Sequence, residues 1–312
     1  MDTLIQKTKK VLLSPWLALI TFAVLLTVKL ANPYLVESTR LKFYDYLMLG
    51  SPTQSEQIVT VNIGEKAIEK YGQWPFPREV HAKIISDIYG RGAALVGSTI
   101  LMPEPDRMGT DGVLANSLNQ YPVVLSQTVS DSCSRASATI RRTGVAVIGD
   151  GEATEFLPRY PCVLSNVSVL QEAAVGVGIT STLPETDGVV RRVPLLSQSS
   201  GEYYPAFALE MLRVAAGDSS YQAKINQTGV EALRIPSFET IKTDEYGRVF
   251  VNPNYVFPSV ELGSDIPRLD GKIVILGVTA AGIANPVATP SGAQHPHFLQ
   301  ASILETLING DS

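Results

Sequence analysis

Gly271-Lys272-Ile273-Val274-Ile275-Leu276-Gly277-Val278 is the stretch from which the rest of the chain is best read. After Lys272 it carries no polar side chain, is rich in β-branched residues and shows no alternation. A strand of that kind is buried on both faces, which places it inside a largely parallel sheet covered by helices. Ile58-Ile63, Ala93-Val96 and Val123-Leu125 repeat the pattern on a smaller scale. Between them, Val80-Tyr89 and Val113-Leu118 have helical spacing. Strand and helix therefore alternate, and the expected class is α/β: a mostly parallel or mixed sheet with helices on both faces.

The middle of the chain is less regular. Val145-Ile148 and Val175-Thr180 read as strands, and Val189-Leu196 as another after the turn dipeptide Asp187-Gly188. Pro205 opens a helix through Ala216 that is apolar on most sides and so is expected to be buried. Asp218 to Val251 is turn-rich with short strands, and Phe298-Ile308 closes the chain as a helix with apolar residues spaced by three and four.

Ahead of all this, Val11 to Val28 is a run of eighteen residues without a charge. As a helix it covers about 27 Å, near the hydrocarbon thickness of a bilayer. Lys7, Lys9 and Lys10 precede it, whereas Glu37, Arg40, Lys42 and Asp45 after it nearly cancel. The positive-inside rule then puts the amino terminus in the cytoplasm and the remainder outside. A cleaved signal peptide is the alternative, but Lys29-Leu30-Ala31-Asn32 offers no good small-x-small cleavage site, which favours an uncleaved anchor. The expected organisation is a cytoplasmic segment 1–10, a transmembrane helix 11–32 and an extracytoplasmic domain 33–312. Tyr34 to Leu49 is expected to continue the membrane helix as a stalk ending at Gly50.

Charged residues make up 18% and apolar residues 45% of the 312, which argues against disorder. The 25 Lys and Arg against 30 Asp and Glu leave no diffuse basic surface, so nucleic acid is not an expected partner. The two cysteines, Cys133 and Cys162, both fall in the exported part. A disulfide between them would add roughly 3 kcal/mol by loop entropy; two buried free thiols are the other reading.

Three motifs bear chemistry. Trp74-Pro75-Phe76-Pro77-Arg78 is a stiff aromatic loop before a helix. It reads either as a plug with Arg78 bonding carbonyls or a carboxylate, or as the wall of a ligand pocket. Asp187-Gly188-Val189-Val190-Arg191-Arg192 puts two guanidiniums on opposite faces of a strand, where they pair with carboxylates or hold an anionic ligand through Arg191. Leu276 to Asn285 follows the best strand with small residues, and runs on to Thr289-Pro290; ligands bind at such strand ends, though a tight crossover fits as well. His81, His295 and His297 lack a third ligand at metal spacing, so neither metal nor cofactor is expected. GxSxG, SxxK and HExxH are absent from the sequence.

Taken in order, several of these features resemble the CHASE2 domain, the extracytoplasmic sensory domain of bacterial transmembrane receptors. They are the single anchor, Tyr44-Asp45, Ile58-Ile63, the Trp-Pro-Phe-Pro-Arg loop, Asp187-Gly188-Val189-Val190-Arg191, Tyr204-Pro205-Ala206-Phe207-Ala208-Leu209, and Gly271 to Gly277 with Thr289-Pro290. The resemblance runs from about Tyr34 to the end. It implies a sensor followed by further membrane helices and a cytoplasmic output such as a cyclase or kinase. This sequence departs from the family in reading Asn62-Ile63-Gly64 and Asn285 where acidic residues are usual, and Gln294-His295-Pro296-His297 where a Gly-containing helix start is typical. No second span follows Val28, so the chain is either the sensor portion of a longer receptor or a stand-alone anchored binding protein; the first is favoured, because a lone span leaves the carboxyl terminus outside with no cytoplasmic partner of its own.

The candidate ligand-binding residues are thus Trp74, Arg78, Arg191, Thr279, Asn285 and Thr289. The expected partners are the inner membrane, a small-molecule or envelope ligand, and a second copy of the chain. The alternative is an anchored exported hydrolase or transferase, for which Asp187, Glu65 and His81 are the loose acid-base candidates, or a scaffold that only dimerises.

Overall fold

The computed structural model describes residues 14–31, 33–133, 143–151 and 153–311. They fall into two compact units, residues 1–48 and 49–312. The first holds the helices Pro15–Ala31 and Tyr34–Met48. These are bent by 80° at their junction, which corrects the expected continuous stalk. Pro33, next to the break, brings no N–H to a helix. The expected span 11–32 begins and ends on residues outside those described. Among the described residues no single helix is long and apolar enough to cross a membrane, although the bent pair passes by length and composition.

The second unit is built on a seven-stranded sheet. In spatial order its strands are Ser259–Glu261, Ile58–Ile63, Ile273–Val278, Leu95–Ser98 and Val123–Ser130. All of these neighbours are parallel. Val123–Ser130 is then joined by Gly176–Ile179, also parallel, and at its far end by Cys162–Leu164, antiparallel. Ile273–Val278 thus sits in the middle with a partner on each side. Cys162 is paired with Cys133, their Cα atoms 5.4 Å apart.

Strand alternation sorts the apolar side chains into two cores. Val59, Val61, Ile63, Val96, Val123, Leu125, Val274 and Leu276 point to one. There they meet Ala82, Ile84, Ile85 and Ile88 of the helix Arg78–Gly90 and Leu114, Ala115 and Leu118 of the helix Asp111–Gln120. Ile58, Leu95, Val124 and Ile275 point to the other, with the helices Phe207–Ala215 and Pro296–Asn309. On that second face the sheet is paved with glycine. A Cβ on Gly277 would lie 2.2 Å from the His297 ring, one on Gly97 2.6 Å from Met211 Sδ, and one on Gly178 2.5 Å from the Phe207 backbone. Both helices therefore rest almost directly on the strands.

A second sheet adds to this face. Its order is Thr240–Lys242, Gly229–Arg234, Ser220–Asn226 and Gly144–Ile148, with only the last pair parallel. Its Tyr221, Ala223, Ile225, Val230 and Leu233 join the same core. A buried ion pair fixes it: Arg213 Nε and Nη2 donate to Glu210 at 2.9 and 2.7 Å, and the Tyr221 hydroxyl donates to the same carboxylate. Burial, reinforced by Glu210, pushes the Tyr221 phenol well above its ordinary range.

Two sequence expectations shift locally. Val189-Leu196 is not one strand: Val189 to Arg191 is loop, and Arg192–Pro194 and Leu196–Ser199 are separate strands in different sheets. The helix expected from Pro205 starts at Phe207, because Pro205 ends the strand Glu202–Pro205.

Replacing Gly277 by Ala drives a methyl group into the His297 ring. Denaturant unfolding of the full chain is expected to show a loss of about 1–3 kcal/mol, the usual range for overpacking. Gly112→Ala, with open space around its Cβ in a helix, is expected to be neutral or stabilising by up to about 1 kcal/mol. Equal effects of the two substitutions would contradict the close-packed face.

Candidate functional site

In a parallel sheet the loops that leave the carboxyl ends of the strands form the natural binding edge. Here that edge carries the loop 72–77, between the helices Glu65–Tyr71 and Arg78–Gly90, and the loop 99–110 after the strand Leu95–Ser98. The two loops enclose a cleft of about 270 Å³ lined by Pro75, Phe76, Pro77 and Arg78 from the first and Glu104 to Met108 from the second.

The aromatic loop is held from beneath. Its Trp74-Pro75 bond is cis, and Phe76 is buried. Phe76 meets Trp74 edge to face at 5.1 Å and Tyr71 at 5.7 Å. His81, one turn into the following helix, packs under both at 5.9 Å from Trp74 and 6.1 Å from Phe76. Arg78 is buried and ties the loops together: Nε donates to Asp111 Oδ1 at 3.2 Å and Nη2 to the Glu104 carbonyl at 2.9 Å.

The network continues beyond the arginine. Asp111 Oδ2 accepts the Asp106 N–H at 2.9 Å, and Asp106 Oδ2 accepts both the N–H and the hydroxyl of Thr110. Thr110 Oγ1 in turn accepts the Glu79 N–H at 3.3 Å, one of the orphan donors of a helix start. The amino ends of the helices Arg78–Gly90 and Asp111–Gln120 are thus wired to one wall of the cleft. Partial burial works to raise the Asp106 carboxyl, but its Thr110 hydrogen bonds and the Arg78 charge prevail and hold it below the ordinary range.

A second cluster lies where the central strand ends. His297 Nε2 donates to Asn62 Oδ1 at 2.9 Å, while Asn62 Nδ2 donates to Ser259 Oγ at 2.7 Å, an orientation that fixes both groups. His297 Nδ1 and His81 Nδ1 are buried without a hydrogen-bond partner among the described residues. Burial therefore keeps both rings neutral: it pushes His81 down to about 4, with help from the Arg78 charge, and His297 to about 3.

The six residues singled out from sequence do not converge. Trp74 and Arg78 share the loop that walls the cleft. Arg191 is buried and grips Asp187 with two bonds, Nη1 to Oδ1 at 2.9 Å and Nη2 to Oδ2 at 2.7 Å. The carboxylate reading of that motif is the one observed, and Arg192 behaves likewise with Glu185 at 2.6 and 2.8 Å. Thr289 is buried in the hairpin of Val287–Thr289 and Gly292–Gln294, donating to the Gly292 carbonyl at 2.6 Å. Thr279 and Ala280 spend their N–H groups on the Ile63 carbonyl, and Ala281 donates to Glu65 Oε1 at 3.0 Å. This segment is a fastened crossover, and Asn285 lies exposed beyond it. Glu65 is thereby a fastener. Asp187 is committed to Arg191, which also holds its carboxyl below the ordinary range. With His81 buried under the aromatic loop, the three loose acid-base candidates occupy different neighbourhoods.

Sequence reading missed Glu104, Asp106, Thr110 and Asp111. The signal was present in Asp106-Arg107-Met108-Gly109-Thr110-Asp111-Gly112, a polar, glycine-containing run that follows a strand and opens a helix.

The fold is an α/β domain with a cleft at the carboxyl edge of a parallel sheet, the edge where sheets of this kind generally bind ligands. The CHASE2 domain family matches residues 17–312, and the chain belongs to this family, a family of sensory domains. No curated protein and no solved structure matches the chain.

Two outcomes follow from the site. Arg78→Gln leaves Asp111 with a weaker partner and is expected to cost about 1.5–3 kcal/mol in a denaturant titration at neutral pH. The neutral histidines give stability a definite slope. Below pH 6.5, the ordinary value of the unfolded rings, the unfolded chain takes up protons that the folded chain refuses. Each ring therefore removes up to about 1.4 kcal/mol per pH unit, His81 until about pH 4 and His297 until about pH 3. His81 or His297 imidazole NMR signals that titrate near 6.5 in the folded protein would contradict this.

Proposed function

We propose that this chain is the extracytoplasmic ligand-sensing region of a membrane-anchored signalling receptor whose cytoplasmic output, a cyclase or kinase, lies in another part of the protein. Membership of a sensory domain family supports this reading. So does the helix Pro15–Ala31, in which no residue is buried and which is apolar but for Thr21, Thr27 and Lys29 near its end. Most of it falls within the uncharged sequence run Val11 to Val28, and Lys7, Lys9 and Lys10 ahead of that run favour an inward amino terminus.

The cleft beside the aromatic loop is the proposed ligand site. The observation that carries this choice is the wiring of Arg78, Asp106, Thr110 and Asp111, which joins two helix starts to the cleft wall. A ligand that engages either loop acts on both helices at once, which is what converting occupancy into a shape change requires. Pro75, Phe76 and Met108 suit an apolar body, and Arg107 and Gln73 suit a polar or anionic end, so a small amphipathic molecule is the expected class. In a dimer, the change would be passed to helices in the bilayer.

The reading is tested by native mass spectrometry of the full chain purified in lipid nanodiscs. Wild type is expected to carry a bound small molecule, and Met108→Trp, which adds bulk at the cleft mouth, is expected to lose it without unfolding. The same bound species at the same occupancy in both proteins would overturn the assignment of the cleft.

A further inference from the structure

The helix Tyr34–Met48 leaves most of its large apolar side chains exposed while it buries polar ones, the reverse of a helix packed in a soluble domain. Its buried residues are Glu37, Ser38 and Leu41. On a wheel of 100° per residue, Leu35, Tyr46, Thr39, Phe43, Val36 and Leu47 fall in one continuous arc about 120° wide. The large apolar members of that arc are open, from 45% exposed at Val36 to 76% at Leu35. Lys42 borders the arc on one side and Arg40 on the other, while Glu37 and Asp45 lie on the far side of the wheel. Arg40 bonds Glu37 at 2.6 Å, yet its side chain remains 69% exposed.

Four features identify the surface that would cover this arc. The arc is flanked by cations and turned away from the anions, which suits anionic headgroups. It contains Phe43 and Tyr46, aromatic residues of the kind that settle at the membrane–water boundary. It follows the helix Pro15–Ala31 after only Asn32 and Pro33. Finally, the two helices meet at 80°. A first helix that crosses the bilayer near its normal, with an ordinary tilt of about 20°, leaves the second close to the membrane plane.

We propose that Tyr34–Met48 is an interfacial helix whose outward arc lies on the phospholipid surface of the leaflet from which the globular unit projects. The proposal rests on the anchor reading above. It replaces an upright stalk by a helix that floats at headgroup depth, so that lipid composition becomes a second input to the same chain. Arg40 and Lys42 extend their stems along the arc and their charges toward phosphates.

The test is site-directed spin labelling of the full chain in vesicles of phosphatidylglycerol and phosphatidylcholine. Phe43→Cys and Leu47→Cys probe the arc, Phe22→Cys the first helix, and Asn119→Cys an aqueous reference on the globular unit. Labelling without reductant leaves the paired cysteines intact. Labels at 43 and 47 are expected at the headgroup–acyl boundary, about 5–10 Å deep. Their oxygen-over-nickel accessibility is expected to be several-fold above that at 119 and below that at 22. A deep label at 22 with water-like labels at 43 and 47 overturns the interfacial helix and leaves the anchor standing. A water-like label at 22 overturns the anchor reading itself. Close label-to-label distances between copies at 43, with lipid excluded, assign the arc to a second copy and also overturn the proposal.

Discussion

Close approach of helix to sheet is the constraint on which the rest of this structure depends. The face beneath Phe207–Ala215 and Pro296–Asn309 has glycine where a side chain would hold the helices off, at Gly97, Gly178 and Gly277. Only with those positions empty can His297 settle over Gly277 and reach Asn62 on the neighbouring strand. The middle of the sheet is taken by Ile273–Val278, which arrives late in the chain and slots between strands formed from its beginning. The parallel sheet is therefore complete only when the final strand and helix dock together, a topology dominated by contacts between distant segments.

The charges follow the same economy. Arg78, Arg191, Arg192 and Arg213 each find a carboxylate, and three of the four are buried. Buried guanidiniums need such partners because unpaired charge is costly in a low-dielectric interior. Arg78 and Arg192 reach beyond their own neighbourhood, Arg192 to Asp244 at 3.7 Å. Asp187 is four residues from Arg191 and Glu210 three from Arg213, so those pairs stiffen a turn or a helix locally. Glu104 lies in the loop 99–110 and Asp111 opens the helix that follows it, so Arg78 couples two elements across a cleft. The cleft that adjoins it is what sets Arg78 apart among these pairs.

Much of the fold was legible in the sequence. Unalternating apolar runs at Ile58-Ile63 and Lys272-Val278 announced buried parallel strands, and their elements stand within a residue or so of the expected limits. The strand order was not legible, because nothing local to Ile273-Val278 says that it inserts between Ile58–Ile63 and Leu95–Ser98. The break at Pro33 was written in the sequence and outweighed by the apolar run before it. The site was legible only in part. Trp74 and Arg78 stood out as a stiff aromatic motif, but their partners are ordinary Asp and Thr residues whose meaning comes from proximity in space. Arg191, Thr279, Asn285 and Thr289 looked like ligand contacts by type, and folding gives the first and last to internal bonds. A polar residue near a strand end advertises chemistry whether it faces a ligand or its own backbone.

The central proposal is that the globular unit lies outside a membrane anchored through the apolar amino-terminal segment that holds Pro15–Ala31. It is tested most directly by a membrane-impermeant maleimide applied to intact bacterial spheroplasts making the full chain with Asn119→Cys, an exposed position on the helix Asp111–Gln120. Labelling in unbroken cells, with the protein remaining in the membrane fraction, is the result this account predicts. Labelling only after lysis would contradict it.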